Sequence, residues 1–158
     1  MKLQSPRIQN LEHWLIRCDS CGHIGHGYRL GDFVSYGRAL GRTYSGEISE
    51  LSLWDDPTYS ELLALIRTIM GENASNLADC FDWMMRLVSD VAPSGERYDF
   101  TGYLCCRRCH ASAQWYKYGD PPIESVELPL VTHREWDRLD HDAKLKMLKS
   151  ALRSKGCI

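Results

Sequence analysis

The 158-residue sequence contains no apolar run approaching the ~20 residues that a helix needs to cross a bilayer, and its start, MKLQSPRIQN, has no apolar stretch of the secretory type. Neither a membrane span nor a signal peptide is expected, and the cytoplasm is the expected compartment. The sequence also lacks a nucleophile triad with motif spacing, a paired-carboxylate motif, a phosphate loop and HExxH. No enzyme is expected from these spacings. Internal repeats and low-complexity tracts are missing as well. Basic residues are scarce in one place only. Residues 45–100 hold three Lys/Arg against eleven Asp/Glu, whereas residues 1–44 hold six against three and residues 101–158 hold ten against seven. A net charge of −2 thus conceals an acidic middle between two basic ends. Such a patch repels phosphate backbones and attracts basic protein surfaces, acting mainly on association rate and selectivity.

What is present is ordinary globular material with one strong motif. A chain 44% hydrophobic and 25% charged, of this length, is expected to form a single compact domain over residues 1–158. Two Cys-x-x-Cys pairs, Cys18/Cys21 in CDSC and Cys106/Cys109 in CRRC, stand 84 residues apart. Small, turn-forming residues flank them, with Asp19, Ser20 and Gly22 at the first and Ala111 and Ser112 after the second. Four thiolates complete a tetrahedral zinc shell with no open position for water, so the pattern predicts one structural Zn2+ rather than a reaction centre. In a reducing compartment, seven cysteines argue for metal ligation over a disulfide framework, and the odd number leaves at least one free thiol. Cys105 leaves an ambiguity, because Cys105 and Cys109 have three residues between them; the two-residue spacing that mirrors the first pair favours Cys106. His23 and His110 follow the knuckles and read as solvent-facing or supporting groups. Cys80 lies on an apolar helical stripe and reads as core, Cys157 as part of a frayed terminus.

The period of the hydrophobic pattern changes along the chain. LEHWLIR, residues 11–17, alternates like a strand entering the first knuckle. The glycine-rich stretch that follows, with Tyr28, Phe33, Val34 and Tyr36, reads as short strands and turns. Asp56 as N-cap and Pro57 as the first helical residue open a helix over 57–70, which ends at Gly71. A second helix starts at Asn73 or Ser75 and carries Leu77, Phe81, Met84, Val88 and Val91 toward Pro93. RYDFTGYL leads into the second knuckle as a strand and AQWYKYG leaves it as another. Asp120-Pro121-Pro122 breaks that run, and IESVELPLV adds an edge strand. Thr132 and Glu135 form a capping box for a helix with Trp136 and Leu139, and a last helix covers roughly 141–155, up to Gly156. The fold class expected is α+β: zinc-ribbon strands from residues 11–44 and 97–130, an acidic helical insertion over 45–96 between the knuckles, and a helical tail over 131–158.

Two surface features carry candidate binding chemistry. Trp54, Asp55 and Asp56, with Glu47, Glu50 and Glu61, place an aromatic among carboxylates at the start of the first helix. Acidic residues favour a helix N-terminus in any case, but that does not explain the shortage of basic residues through to position 100, so these six are the candidate partner-binding residues. Trp115, Tyr116 and Tyr118, close to Arg107, Arg108 and Lys117, have the composition of a stacking platform for single-stranded nucleic acid, and equally that of a cover for a small ribbon core; the cover is preferred. His13, His26, His133 and His141 have no partner evident in sequence.

The stretch DFVSYGRALGRTYSGEISELSLWDDPTYSELLALI, together with the split cysteine pairs, resembles small bacterial proteins encoded beside Rhs-type and other polymorphic toxins, where such neighbours are usually immunity proteins. The resemblance covers about a quarter of the chain. It implies an antitoxin that binds a cognate toxin through a basic surface or active-site cleft and occludes it; some toxins of this class are ADP-ribosyltransferases, whose NAD-binding clefts an acidic, aromatic-bearing protrusion would fill. It assigns no contact residues. Two other classes stay open beside it: a nucleic-acid-binding zinc ribbon, and an enzyme in which water replaces one zinc ligand.

Overall fold

The computed structural model describes residues 7–31, 37–72 and 75–158. Phe33, Val34 and Tyr36, expected in strands or turns, and Asn73, one expected helix start, lie outside the described residues. The elements run β1 (Arg7–Cys18), β2 (Ile24–Arg29), β3 (Arg38–Arg42), β4 (Ile48–Ser52), α1 (Pro57–Met70), α2 (Leu77–Val88), β5 (Ala113–Leu128), α3 (Arg134–Asp137) and α4 (His141–Lys155). The architecture is α+β, with two small sheets and four helices.

The larger sheet has the order β2-β1-β5, all antiparallel, with β1 in the centre. The break expected at Asp120-Pro121-Pro122 does not occur, and β5 runs through it as one 16-residue strand. Because β5 is an edge strand, a proline there need not cost a ladder hydrogen bond. The register instead slips on either side of His13, where Glu12 pairs with Ile123 but Trp14 with Tyr118. The buried His13 imidazole fills this bulge, with Nδ1 2.8 Å from the Pro121 carbonyl oxygen and Nε2 2.8 Å from His26 Nδ1. Gly119 is required beside it, since a Cβ there would come within 2.3 Å of the ring.

The β3–β4 hairpin forms the second sheet and joins the first through Glu50, whose N–H donates to the Pro129 carbonyl and whose carbonyl accepts from Val131 N–H, both at 2.8 Å. Leu11, Leu40 and Leu128 are buried where the two sheets meet, a small core. Most of the apolar interior lies elsewhere. Leu62, Leu65 and Ile66 of α1, Phe81, Met84, Met85 and Val88 of α2, Leu148 and Leu152 of α4, and Trp136 form one cluster that Leu51 of β4 also enters. The insertion and the C-terminal segment are therefore one helical body, and α4 is a core element rather than a tail. Replacing Leu148, fully buried, with alanine is expected to cost about 2–5 kcal/mol in urea unfolding, whereas Lys149→Ala on the exposed face should shift the midpoint little.

Helix boundaries follow the caps. Asp56 Oδ1 accepts from Thr58 N–H at 2.9 Å, and Gly71, at φ 90°, closes α1 where a side chain would be strained. Asp140 Oδ1 accepts from Ala143 N–H at 2.8 Å, and Gly156 ends α4 in the left-handed region. Four sequence expectations are corrected. Residues 97–104 form no strand; Asp99 makes an isolated bridge to Arg42, and the Leu104 carbonyl accepts from Ala113 N–H at 3.1 Å. Val91 lies beyond α2 and is 49% exposed. The Thr132/Glu135 capping box does not form, because Asp90 from the other side of the helical body takes the Thr132 hydroxyl and the N–H groups of Arg134 and Glu135. Cys157 is not frayed: it is disulfide-bonded to Cys80 and packs against the helical core, so these two thiols follow neither the metal nor the free-thiol expectation.

Candidate metal centre

Sheet register brings the two knuckles together. β1 ends at Cys18 and β5 begins at Ala113, and these two residues are partners in the ladder. Just beyond, Asp19 N–H donates to the Ser112 carbonyl at 3.0 Å. Each knuckle then turns in the same way. Cys18 N–H donates to the His23 carbonyl at 2.9 Å and Cys106 N–H to the Ala111 carbonyl at 2.8 Å, a five-residue reach in both. Ser20 and Cys21 N–H groups point at Cys18 Sγ, and Arg108 N–H points at Cys106 Sγ, each at 3.3 Å. The residue after each second cysteine has positive φ, Gly22 at 71° and His110 at 62°.

This repeated pattern resolves the Cys105 ambiguity. Cys18, Cys21, Cys106 and Cys109 have their sulfurs within 4.8 Å of one another and are the group, among the described residues, able to hold a metal ion. Cys18 Sγ lies 3.4 Å from Cys109 Sγ, and Cys21 Sγ 3.7 Å from Cys106 Sγ. Metal–sulfur bonds of ~2.3 Å in a tetrahedron place sulfurs about 3.8 Å apart, so the residues present fit such an ion. Cys105 is half-buried outside the group, its thiol pushed up first by burial and then by Asp99. His23 and His110 are outside it too; the His110 ring meets Tyr44 edge-on at 5.7 Å.

The electrostatics agree with a site for a cation. The Cys21 amide, together with those of Ser20 and the thiol of Cys109, lowers Cys18 to about 6 against the cost of burial. Amides at Cys109 and Arg108 likewise lower Cys106. Cys109 goes the other way: the Ala111 amide lowers it, but its hydrogen bond to Cys18, burial and the remaining sulfurs push it up to about 11. Four thiols at this spacing hold some of their protons because like charges cannot crowd together, and a divalent cation removes that obstacle. No family model, curated protein or solved structure matches the chain.

The six candidate partner-binding residues separate into two groups. Glu50 is buried and paired with Arg38, and Asp56 caps α1. Glu61 accepts from Trp136 Nε1 at 3.1 Å and Lys144 Nζ at 2.7 Å, and Glu47 accepts from Ser94 N–H at 3.3 Å. These four carboxylates hold the framework. Trp54, 67% exposed, and Asp55 stand out from it on the turn between β4 and α1, with the Trp54 ring lying over Gly37.

Sequence spacing did not reveal the partner of His133. This buried ring has Nδ1 2.9 Å from the Val88 carbonyl and Nε2 2.6 Å from Asp56 Oδ2, so both nitrogens face acceptors and the imidazolium satisfies both. Burial lowers its pKa, but the Asp56 and Val88 hydrogen bonds outweigh burial and raise it above the ordinary value. The resulting stabilisation is fully present below the unfolded-state pKa of about 6.5 and is lost as pH rises through the higher folded value. Unfolding free energy measured across neutral to alkaline pH should decline accordingly. Asp56→Asn keeps a good helix cap and should flatten that decline.

Proposed function

We propose that the four thiolates hold a single structural zinc ion that closes a split ribbon, and that the chain acts as an immunity protein, binding a cognate toxin and occluding its active site. Zinc, bound by four thiolates, supplies folding energy and no open coordination position. The observation that carries the binding role is Trp54, 67% exposed beside Asp55 on a short turn. A large aromatic held on a firm framework is the residue type that dominates protein interfaces, and a neighbouring carboxylate suits a basic cleft. The turn is held from behind by Asp56, which joins the start of α1 to His133.

The test is co-expression with the toxin domain from the adjacent reading frame. The wild type is expected to protect the host and to co-purify with the toxin. Trp54→Ala with Asp55→Lys should stay folded yet weaken the complex by about 30-fold or more. A toxin that neither binds nor is neutralised ends this reading, and full protection by the double variant moves the contact surface elsewhere.

A second reading, a nucleic-acid-binding ribbon, is favoured by the exposed face of the larger sheet. Tyr116 and Tyr118 are 44% and 54% exposed, which does not suit the role of core cover. Arg17 and Lys117 stack over Tyr116 at 4.6 and 5.4 Å, and Arg29 lies 5.1 Å over Trp14, itself 4.3 Å from Tyr118. Retardation of single-stranded DNA or RNA that weakens steeply with salt would support it; no retardation at low salt would remove it.

A further inference from the structure

A cavity of about 90 Å³ lies between the larger sheet, the β3–β4 hairpin and the second knuckle, and Arg42, Arg86, Arg97 and Arg107 line it. Asp99 is the one carboxylate among the described lining residues, and its Oδ1 already accepts from the Thr101 amide and hydroxyl. Among the described residues, none of the four arginines has a carboxylate within ion-pair distance.

Arg42 is the most constrained of them. Its Nη2 donates to the Tyr28 carbonyl at 2.9 Å and its guanidinium lies 5.4 Å over the Trp115 ring, yet its Nε is buried with no hydrogen-bond partner. An unsatisfied buried donor on a cation is costly, and three further cations around the same cavity add repulsion. An anion seated among the four guanidinium groups would relieve that repulsion. Guanidinium forks match the oxygens of a phosphoryl group better than they match a point charge. The cavity, about 90 Å³, has room for such a head group. Tyr44 and Tyr103, 49% and 58% exposed, border the opening and offer ring faces to whatever the head group carries.

We propose that this cavity binds the phosphoryl group of a small phosphorylated ligand, with the remainder of the ligand lying against Tyr44 and Tyr103. Arg42, Arg86, Arg97 and Arg107 supply the positive charge around it. The assignment does not depend on Trp54 or on the toxin reading, and it can fail without affecting either.

Calorimetric titration of the full metal-loaded chain with adenosine monophosphate, inorganic phosphate, adenosine and a short single-stranded oligonucleotide tests it. The monophosphate is expected to bind saturably, phosphate more weakly and adenosine not at all. Arg42→Gln should weaken the monophosphate at least about tenfold. Arg107→Gln, at an exposed position, should also weaken it while leaving metal content and folding intact. The proposal is overturned if neither the monophosphate nor inorganic phosphate binds, if both variants bind like the wild type, or if the oligonucleotide alone binds.

Discussion

Chelation of the proposed zinc, or Cys106→Ser, is expected to melt the knuckle end of the larger sheet while leaving most helical signal in place. The reason lies in how the interior is divided. Among the described residues, only Leu11, Leu40 and Leu128 are buried at the junction of the two sheets, whereas twelve make up the helical cluster, which the Cys80–Cys157 disulfide also joins. Thiolate–zinc binding in small domains supplies ~10 kcal/mol or more of apparent folding energy, more than three buried leucines at about 1.5–3 kcal/mol each can replace. Trp14 and Trp115 sit on the affected sheet, so near-ultraviolet dichroism should collapse while far-ultraviolet helical bands persist. The amides of Cys18 and Cys106, which close the two knuckles, should lose hydrogen-exchange protection first. A metal-free variant that keeps that protection would show the ion to be dispensable. Metal analysis should return one ion per chain.

Arg38→Ala should be among the most damaging single changes outside the cysteines. Glu50 has a side chain 4% exposed, and apart from Arg38 it receives, among the described residues, only a 3.4 Å hydrogen bond from Gln9 Nε2. Removing Arg38 leaves a buried carboxylate without a counter-charge, a change that costs about 3–5 kcal/mol and lowers Tm by roughly 10 °C in a domain of this size. The pair itself contributes much less than that, since desolvation offsets most of its attraction. Arg38→Met combined with Glu50→Leu is therefore expected to recover most of the loss. Equal stability for Arg38→Ala and wild type in thermal unfolding would mean that water screens the carboxylate after all. The result also bears on function, because Glu50 joined the candidate partner contacts on the strength of its charge alone. A charge that must stay paired inside the protein is poorly placed to meet a basic partner.

What could be read from sequence divides by the range of the interaction. The bounds of α1 and α4 follow from Asp56-Pro57, Gly71 and Gly156, whose effects act within one turn, and the structure places both helices there. The four cysteines were legible because a metal shell fixes ligand type and spacing. Thr132 and Glu135 misled because Asp90, 42 residues away from Thr132, competes for the same hydroxyl. The same blindness hid His133 with Asp56 and Arg38 with Glu50, where a charge looks solvated until its distant partner is known. Pro121 suggested a break because its position on an edge strand is a property of the sheet order and not of the local sequence. The arginine-lined cavity was invisible for a related reason: Arg42, Arg86, Arg97 and Arg107 are spread over 66 residues, two of them within a stretch that is acidic overall.

The pairing of Cys18 with Ala113 has a consequence for what this scaffold can tolerate. After the first knuckle the chain adds β2 to one edge of the sheet, leaves it after Arg29 and returns as β5 on the other edge beyond the second knuckle, so the material between β2 and β5 is an excursion with its base fixed by ladder hydrogen bonds. Domains whose ends lie close together accept insertion and exchange of the material between them. Lengthening the connection between α1 and α2, far along that excursion, should leave the four sulfurs where they are. The cysteine cluster marks where the excursion is anchored and is indifferent to its length.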